Sequence, residues 1–252
     1  VTLVDQDQYI SYGGCGIPYF ISGDVSDEKE LRSTSFHMER DAYFFKMDKG
    51  VDAMPSTRVL SIDRGQKSIR IRAQNGEESD LAYDKLVLTT GSRPKKLDIP
   101  GMGLPNVYSV GNLSDAMAIK QLVTAGQVEK AVIIGAGFIG LEMAEALSDM
   151  WEIETAVVEY CDQVMPGFVS ANMARMAQHR MEENGVTFHL GESVEAIEGE
   201  DAVSAVKTGK RTIEADIVIS AVGIAPNGDL AAAAGLEVAP GGFIVVNDRM
   251  QT

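Results

Sequence analysis

The stretch from Lys130 to Glu159 restricts the fold more than any other. Ala131-Val132-Ile133-Ile134 is a short apolar run, the pattern of a strand buried on both faces. Gly135-Ala136-Gly137-Phe138-Ile139-Gly140 follows without a gap, and Leu141 to Met150 is rich in helix-forming Leu, Met, Ala and Glu. A second β-rich run, Thr155-Ala156-Val157-Val158, ends on an acid, Glu159. In a strand–turn–helix of this kind each glycine has its own task. Gly135 permits the tight turn, Gly137 leaves room for a pyrophosphate to approach the backbone, and Gly140 lets the helix pack closely on the strand. The helix start presents unpaired N–H groups and a partial positive charge to the phosphates. Glu159, 24 positions after Gly135, is placed to accept hydrogen bonds from the adenosine ribose. A second phosphate on that ribose would want a cation, and Tyr160-Cys161-Asp162 offers none, so the pattern favours NADH over NADPH.

The bulk numbers narrow the rest. A chain of 252 residues has room for two domains, and 45% hydrophobic with 23% charged residues is an ordinary globular composition. A net charge of −15 argues against nucleic acid or an anionic membrane as partner. No apolar run approaches the length of a membrane span and no signal peptide is visible. Two cysteines, Cys15 and Cys161, are too few for a disulfide scaffold, which points to a reducing cytoplasm. No metal-ligand spacing is present, and His37, His179 and His189 have no partner pattern.

Elsewhere the chain reads as further α/β units. Val1 to Val4 with Asp5 repeats the strand-then-acid pattern of Val157-Val158-Glu159; if the two are equivalent, a strand, a glycine turn and a helix belong ahead of Val1. Ser11-Tyr12-Gly13-Gly14-Cys15-Gly16-Ile17-Pro18-Tyr19 is a turn leading into a short helix. A helix is expected over Phe36 to Lys49, an antiparallel pair over Arg58 to Ile62 and Lys67 to Arg72, and a buried strand at Leu86-Val87-Leu88. Ser114 is expected to cap a helix running to about Thr124. After Glu159 come a helix from Ala171 to Asn184, short strands to Val222, and a last strand, Phe243 to Val246.

Four stretches, in order, carry a resemblance. They are Ser11 to Tyr19, Leu88-Thr89-Thr90-Gly91-Ser92-Arg93-Pro94, the Gly135 to Gly140 fingerprint, and Ala221-Val222-Gly223-Ile224-Ala225-Pro226-Asn227. The chain resembles the flavin-dependent pyridine-nucleotide–disulfide oxidoreductases, in the single-cysteine branch of coenzyme A-disulfide reductases, NADH oxidases and peroxidases, and persulfide reductases. The resemblance implies an α/β fold of two Rossmann-like, three-layer FAD- and NAD(P)-binding domains, the NADH domain inserted in the flavin domain. It divides the chain into 1–112, partial flavin domain with the redox cysteine; 113–235, NADH domain; and 236–252, return to the flavin domain. The complete enzyme would be a homodimer.

The same resemblance assigns roles. Cys15 would be the redox thiol, with no second cysteine nearby to close an internal disulfide. Asp5 would bind the flavin ribose, and Thr90, Gly91, Ser92 and Arg93 would form the crossing beside the flavin. Phe138 and Ile139 sit inside the fingerprint, Phe138 matching an aromatic gate over the nicotinamide or serving only to pack helix on sheet. Glu142 would lie near nicotinamide and flavin, or would be only a first-turn acid of its helix. Gly223 would approach NADH closely. Cys161 reads as a loop thiol without a redox role.

The implied activity is NADH:disulfide oxidoreduction on a small thiol disulfide or persulfide, with coenzyme A among the candidates. An NADH oxidase or peroxidase cycling Cys15 through a sulfenic acid is the second reading. A module that binds NADH without turnover is the third. Without a second glycine fingerprint, the 252-residue stretch is expected to hold little flavin by itself.

Overall fold

A computed structural model describes residues 1–252. The chain divides into two compact units: Gly13–Leu31 with Pro94–Gly223, and Val1–Tyr12 with Arg32–Arg93 and Ile224–Thr252. The architecture is α/β, as the sequence implied. Residues 13–31 and 94–112, grouped by sequence with the first domain, cluster with the fingerprint.

The fingerprint unit has three layers. Its centre is a five-stranded, wholly parallel sheet in the order Val186–Leu190, Glu154–Glu159, Lys130–Ile134, Ile217–Ser220, Val107–Tyr108. The strands are apolar throughout because both faces are covered. One face carries the helix Phe138–Trp151. The other carries an antiparallel sheet of Val194–Gly199, Val203–Thr208 and Thr212–Glu214. Strand alternation sorts the side chains: Val132, Ile134, Val158 and Val218 pack with Ile197, Val203 and Val206 of the second sheet. The buried cluster fills the space between the two sheets.

Two further helices complete the unit. Leu113–Thr124 starts at Asn112, whose side chain accepts the Asp115 amide at 2.8 Å. Asn112 is therefore the cap in place of Ser114, and it is a strong cap in its own right. The short helix Ile17–Ser22, directly after Cys15, packs on Leu113–Thr124 and Phe138–Trp151. Trp151 donates its indole N–H to Ile21 O at 2.9 Å, and Lys120 Nζ donates to the same carbonyl at 3.3 Å. Lys120 also lies 4.9 Å from the Trp151 ring centre and 5.7 Å from that of Phe20. Burial there holds the Lys120 ammonium below the usual lysine range, against the opposing pull of Asp24.

The other unit holds a parallel pair, Thr2–Val4 with Asp52–Met54, and an antiparallel sheet of Arg58–Asp63, Ser68–Arg72 and Glu78–Ala82. Three expectations fail here. The helix begins at Ala42, not Phe36, because Asp41 caps it by accepting the Phe44 amide at 2.8 Å; Ser33 and Glu39 instead form a β-bridge across the preceding turn. Leu86-Val87-Leu88 is not a strand, and Val87 is 78% exposed. Phe243–Val246 makes only an isolated bridge, Val238 with Ile244. In both cases an apolar run lacks a neighbouring ladder, and pairing rather than composition makes a strand.

Candidate functional site

The fingerprint turn folds as its glycines require. Gly135 has φ +101°, and a Cβ there would meet Ala221 O at 2.6 Å. A Cβ on Gly140 would lie 2.0 Å from Gly135 O, so the helix rests directly on the turn. Gly137 differs: a Cβ there would touch nothing within 4 Å. Protein thus fills the space beside the first and third glycines and leaves that beside the second open, which fits a phosphate approaching at Gly137. Gly137 is the N-cap of a 14-residue helix that begins at Phe138, one turn earlier than the composition indicated. Glu142 is exposed and lies beyond the first helical turn, so the first-turn alternative does not hold.

Glu159 closes the cradle. It is 8% exposed; one carboxylate oxygen accepts the Ala136 amide at 2.7 Å and the other the Cys161 amide at 2.8 Å. A carboxylate has about four acceptor positions, so capacity remains for ribose hydroxyls. Gly135 N donates to Val158 O at 2.8 Å, which ties the turn to the same strand. Ala221 N donates to Ile134 O at 2.8 Å, so the run into Gly223 lies beside the fingerprint. Gly223 itself has φ +98°. Burial first, then the Glu159 and Asp162 carboxylates, push the Cys161 thiol up, away from the thiolate form.

No sequence pattern marks the segment that crosses the cradle. Met165 N donates to Ala136 O at 2.8 Å and draws the 160–169 loop over the turn. Phe168 then stands edge-on to Phe138, ring centres 5.1 Å apart at 67°. Both rings are exposed. Pairing across 30 positions with no shared period leaves no local signal.

Cys15 lies in a 3-10 turn, Gly14–Gly16, and its thiol is exposed and unbridged. It shares a compact unit with the fingerprint. In the other unit, Asp5 ends its strand and accepts the Asp7 amide at 2.9 Å. Thr90 and Asn227 bond reciprocally: Thr90 Oγ1 donates to Asn227 O at 2.7 Å, and Asn227 Nδ2 to Thr90 O at 2.9 Å. Asn227 N donates to Gly91 O, and Arg93 reaches Asn227 Oδ1 at 2.8 Å and Asp229 at 3.1 Å. Thr90, Gly91 and Arg93 are thus brought together, with the exposed Ser92 between them. The same unit contains a cavity of about 290 Å³ lined by Tyr9, Ser11, Arg32, Arg40, Tyr43 and neighbours, with the Arg32 guanidinium 4.7 Å from the Tyr9 ring centre.

The residues present fit NAD(H). For a flavin they supply a strand-end acid and the Thr90–Arg93 turn, without a second glycine fingerprint for its pyrophosphate. No group of His, Cys, Asp and Glu could hold a metal ion, and no helix is long and apolar enough to cross a membrane.

The family model for pyridine nucleotide-disulphide oxidoreductases matches residues 1–252. Among curated proteins, an NADH oxidase of Methanocaldococcus jannaschii is 33% identical, over all of this chain and 54% of its own. An NAD(P)H coenzyme A polysulfide/persulfide reductase of Pyrococcus horikoshii is 31% identical with the same coverage. The chain spans about half the length of these curated relatives. Among solved structures, a NAD-dependent persulfide reductase from A. fulgidus superposes with a TM-score of 0.95 at 38% identity, over 98% of this chain and 45% of that one. Reduced CoADR-RHD of Bacillus anthracis gives 0.92 at 30% identity, over 99% and 44%.

Proposed function

Since the chain belongs to the pyridine nucleotide-disulphide oxidoreductase family, whose members depend on FAD and NAD(P)H, we propose that it is part of an NADH:disulfide or persulfide oxidoreductase. The observation that carries this reading is an exposed, unbridged Cys15 in the same compact unit as an open dinucleotide cradle. In this reading 1–112 and 236–252 belong to the flavin domain and 113–235 to the NADH domain, although 13–31 and 94–112 cluster with the fingerprint unit and 224–235 with the other; the complete protein is a homodimer, and it works in the cytoplasm.

Each residue group has a distinct task. The Gly137 gap and the first turn of Phe138–Trp151 hold the pyrophosphate. Glu159 takes the adenosine ribose hydroxyls and, as a carboxylate, repels a 2′-phosphate, which favours NADH. Phe138 covers the nicotinamide end, with Gly223 leaving room beside it and Glu142 nearby. Asp5 and the Thr90–Arg93 crossing serve the flavin. NADH supplies the electron pair, and a bound flavin would be the group that carries it to sulfur.

The Cys15 thiolate attacks one sulfur of the disulfide, forming a mixed disulfide and releasing the first thiolate. The electron pair from NADH then breaks the mixed disulfide, freeing the second thiol and restoring Cys15. In sum, NADH, one proton and RSSR give NAD⁺ and two RSH. A persulfide is handled in the same way, with hydrosulfide as one product.

The relative named NADH oxidase supports a second reading, in which Cys15 cycles through a sulfenic acid and oxygen or peroxide is reduced. Product analysis of the complete protein separates the two. Thiol or sulfide formed in proportion to NADH supports the first reading, and water with no thiol overturns it. A native chain that fails to bind NADH overturns both.

A further inference from the structure

We propose that Lys210 is the cation that meets a 2′-phosphate on the adenosine ribose, and that it sets how far this site tolerates NADPH beside NADH. The proposal rests on the reading of Gly135 to Glu159 as the dinucleotide site, and it goes further by naming a residue remote from that motif.

The adenosine end of a dinucleotide lies beyond the second strand of the fingerprint, at Glu159. Sequence offers no charge complement there: from Tyr160 to Ala174 there is no lysine or arginine. The fold brings one in from the side. Gly191 N donates to Cys161 O at 2.8 Å and Glu192 N donates to Glu159 O at 3.1 Å, so the Gly191–Glu192 turn lies directly alongside the ribose acid. Lys210 Nζ donates to Gly191 O at 3.2 Å and is 4.0 Å from Glu192 Oε1. Its side chain is 57% exposed.

One feature singles out Lys210 from its neighbour, and a second fixes the backbone that carries it. Arg211 is committed: its Nη2 lies 3.0 Å from Glu192 Oε1, a carboxylate only 3% exposed that also accepts Thr208 Oγ1 at 2.9 Å. The buried acid thus has a nearer cation of its own in Arg211, while Lys210 acts on it from 4.0 Å. The hairpin tip is also fixed, because Thr208 Oγ1 accepts the amides of both Lys210 and Arg211, at 3.1 and 3.0 Å, and Thr208 N donates to Arg211 O at 2.8 Å. A fixed tip presents a flexible lysine whose ammonium swings from the Gly191 carbonyl to a phosphate oxygen without backbone movement. Glu159 still opposes the phosphate, so NADH remains the better ligand and Lys210 narrows the gap.

The test is titration of NADH and NADPH, followed by dinucleotide fluorescence, into the native chain, Lys210→Ala and Lys210→Arg, at low and raised salt. An exposed lysine–phosphate pair predicts that Lys210→Ala weakens NADPH about three- to tenfold and NADH less than about twofold. Lys210→Arg should restore NADPH binding, and Lys210→Ala should flatten its dependence on salt. Equal weakening of both dinucleotides, an unchanged NADPH affinity in Lys210→Ala, or no measurable NADPH binding to a native chain that binds NADH would each overturn the proposal. Failure of the native chain to bind NADH would bring down the dinucleotide-site reading first, and this proposal with it.

Discussion

Glu159 accepts the amide of Ala136 at 2.7 Å, so the acid that reads the ribose also holds the turn that reads the pyrophosphate. Its second oxygen fixes the start of the following loop through Cys161 N. Glu159→Ala is therefore expected to harm more than ribose recognition. It strands two amides that the carboxylate satisfied, at about 1.5–3 kcal/mol for a hydrogen bond to a charged group. The expected result is a lower Tm together with weaker NADH binding. Glu159→Gln retains an acceptor oxygen and should recover part of the Tm. Unchanged thermal stability in Glu159→Ala would show that the buried carboxylate does not brace the turn.

Gly137 and Gly140 should respond to substitution in opposite ways. Gly137→Val places its Cβ in open space, so the fold should survive while NADH binding falls at least about 100-fold, through a blocked pyrophosphate path. Gly140→Ala drives a methyl to within 2.0 Å of Gly135 O and should lower the Tm by several degrees. Calorimetry paired with NADH titration checks both. Retained binding in Gly137→Val would remove the fingerprint as the site.

The two cysteines are not equivalent. In the complete protein, Cys15→Ser should leave flavin reduction by NADH nearly intact and cut disulfide or persulfide reduction at least about 1000-fold, since a hydroxyl does not replace a thiolate nucleophile. Cys161→Ser should change neither, because that thiol is held away from its reactive form. Stopped-flow flavin reduction and steady-state thiol production read the two steps separately. Full thiol production by Cys15→Ser would refute the mechanism.

The fingerprint unit should lose stability in acid in two stages. Burial first, then the Arg211 charge, lower the pKa of His189, with Glu192 opposing. The unfolded chain therefore takes up its proton first, and stability falls as pH drops below about 6.5. Burial would raise the pKa of Glu192, but the Thr208 hydroxyl, Arg211, Lys210 and His189 prevail and lower it. Its contribution is present above the unfolded value, about 4.5, and is lost as pH falls further through the folded value. Thermal melts from pH 7.5 to 4 should show both stages. His189→Gln should remove the first stage and spare the second; an identical profile in that variant would exclude His189 as its source.

What could be read from sequence follows where local chemistry decides structure. The Lys130–Glu159 unit was legible because glycine spacing, strand periodicity and a terminal acid all act within one short stretch. The reading of Leu86–Leu88 failed for the opposite reason: strand formation depends on a partner elsewhere, and a parallel ladder leaves no mark on the run itself. Asn112 carries the capping chemistry that the sequence reading gives to Ser114, and Asp41 is a cap lying inside the span that the same reading treats as one helix from Phe36. Phe168 and Lys210 were invisible, since each reaches the cradle from a different loop. One is placed by a Met165 amide and the other by a Gly191 carbonyl, and backbone groups carry no sequence signature.

The hydrogen bond from Trp151 to Ile21 O gives this protein an optical label of its own. Trp151 is the sole tryptophan, and its indole is fastened to the helix that directly follows Cys15. Emission from that indole therefore reports whether this helix is seated: release into water would shift the band to longer wavelength before the sheet itself melts. Indole emission also overlaps the absorption of reduced nicotinamide, so quenching on NADH addition would register occupancy in the same cuvette. No dye or engineered residue is needed to follow both events.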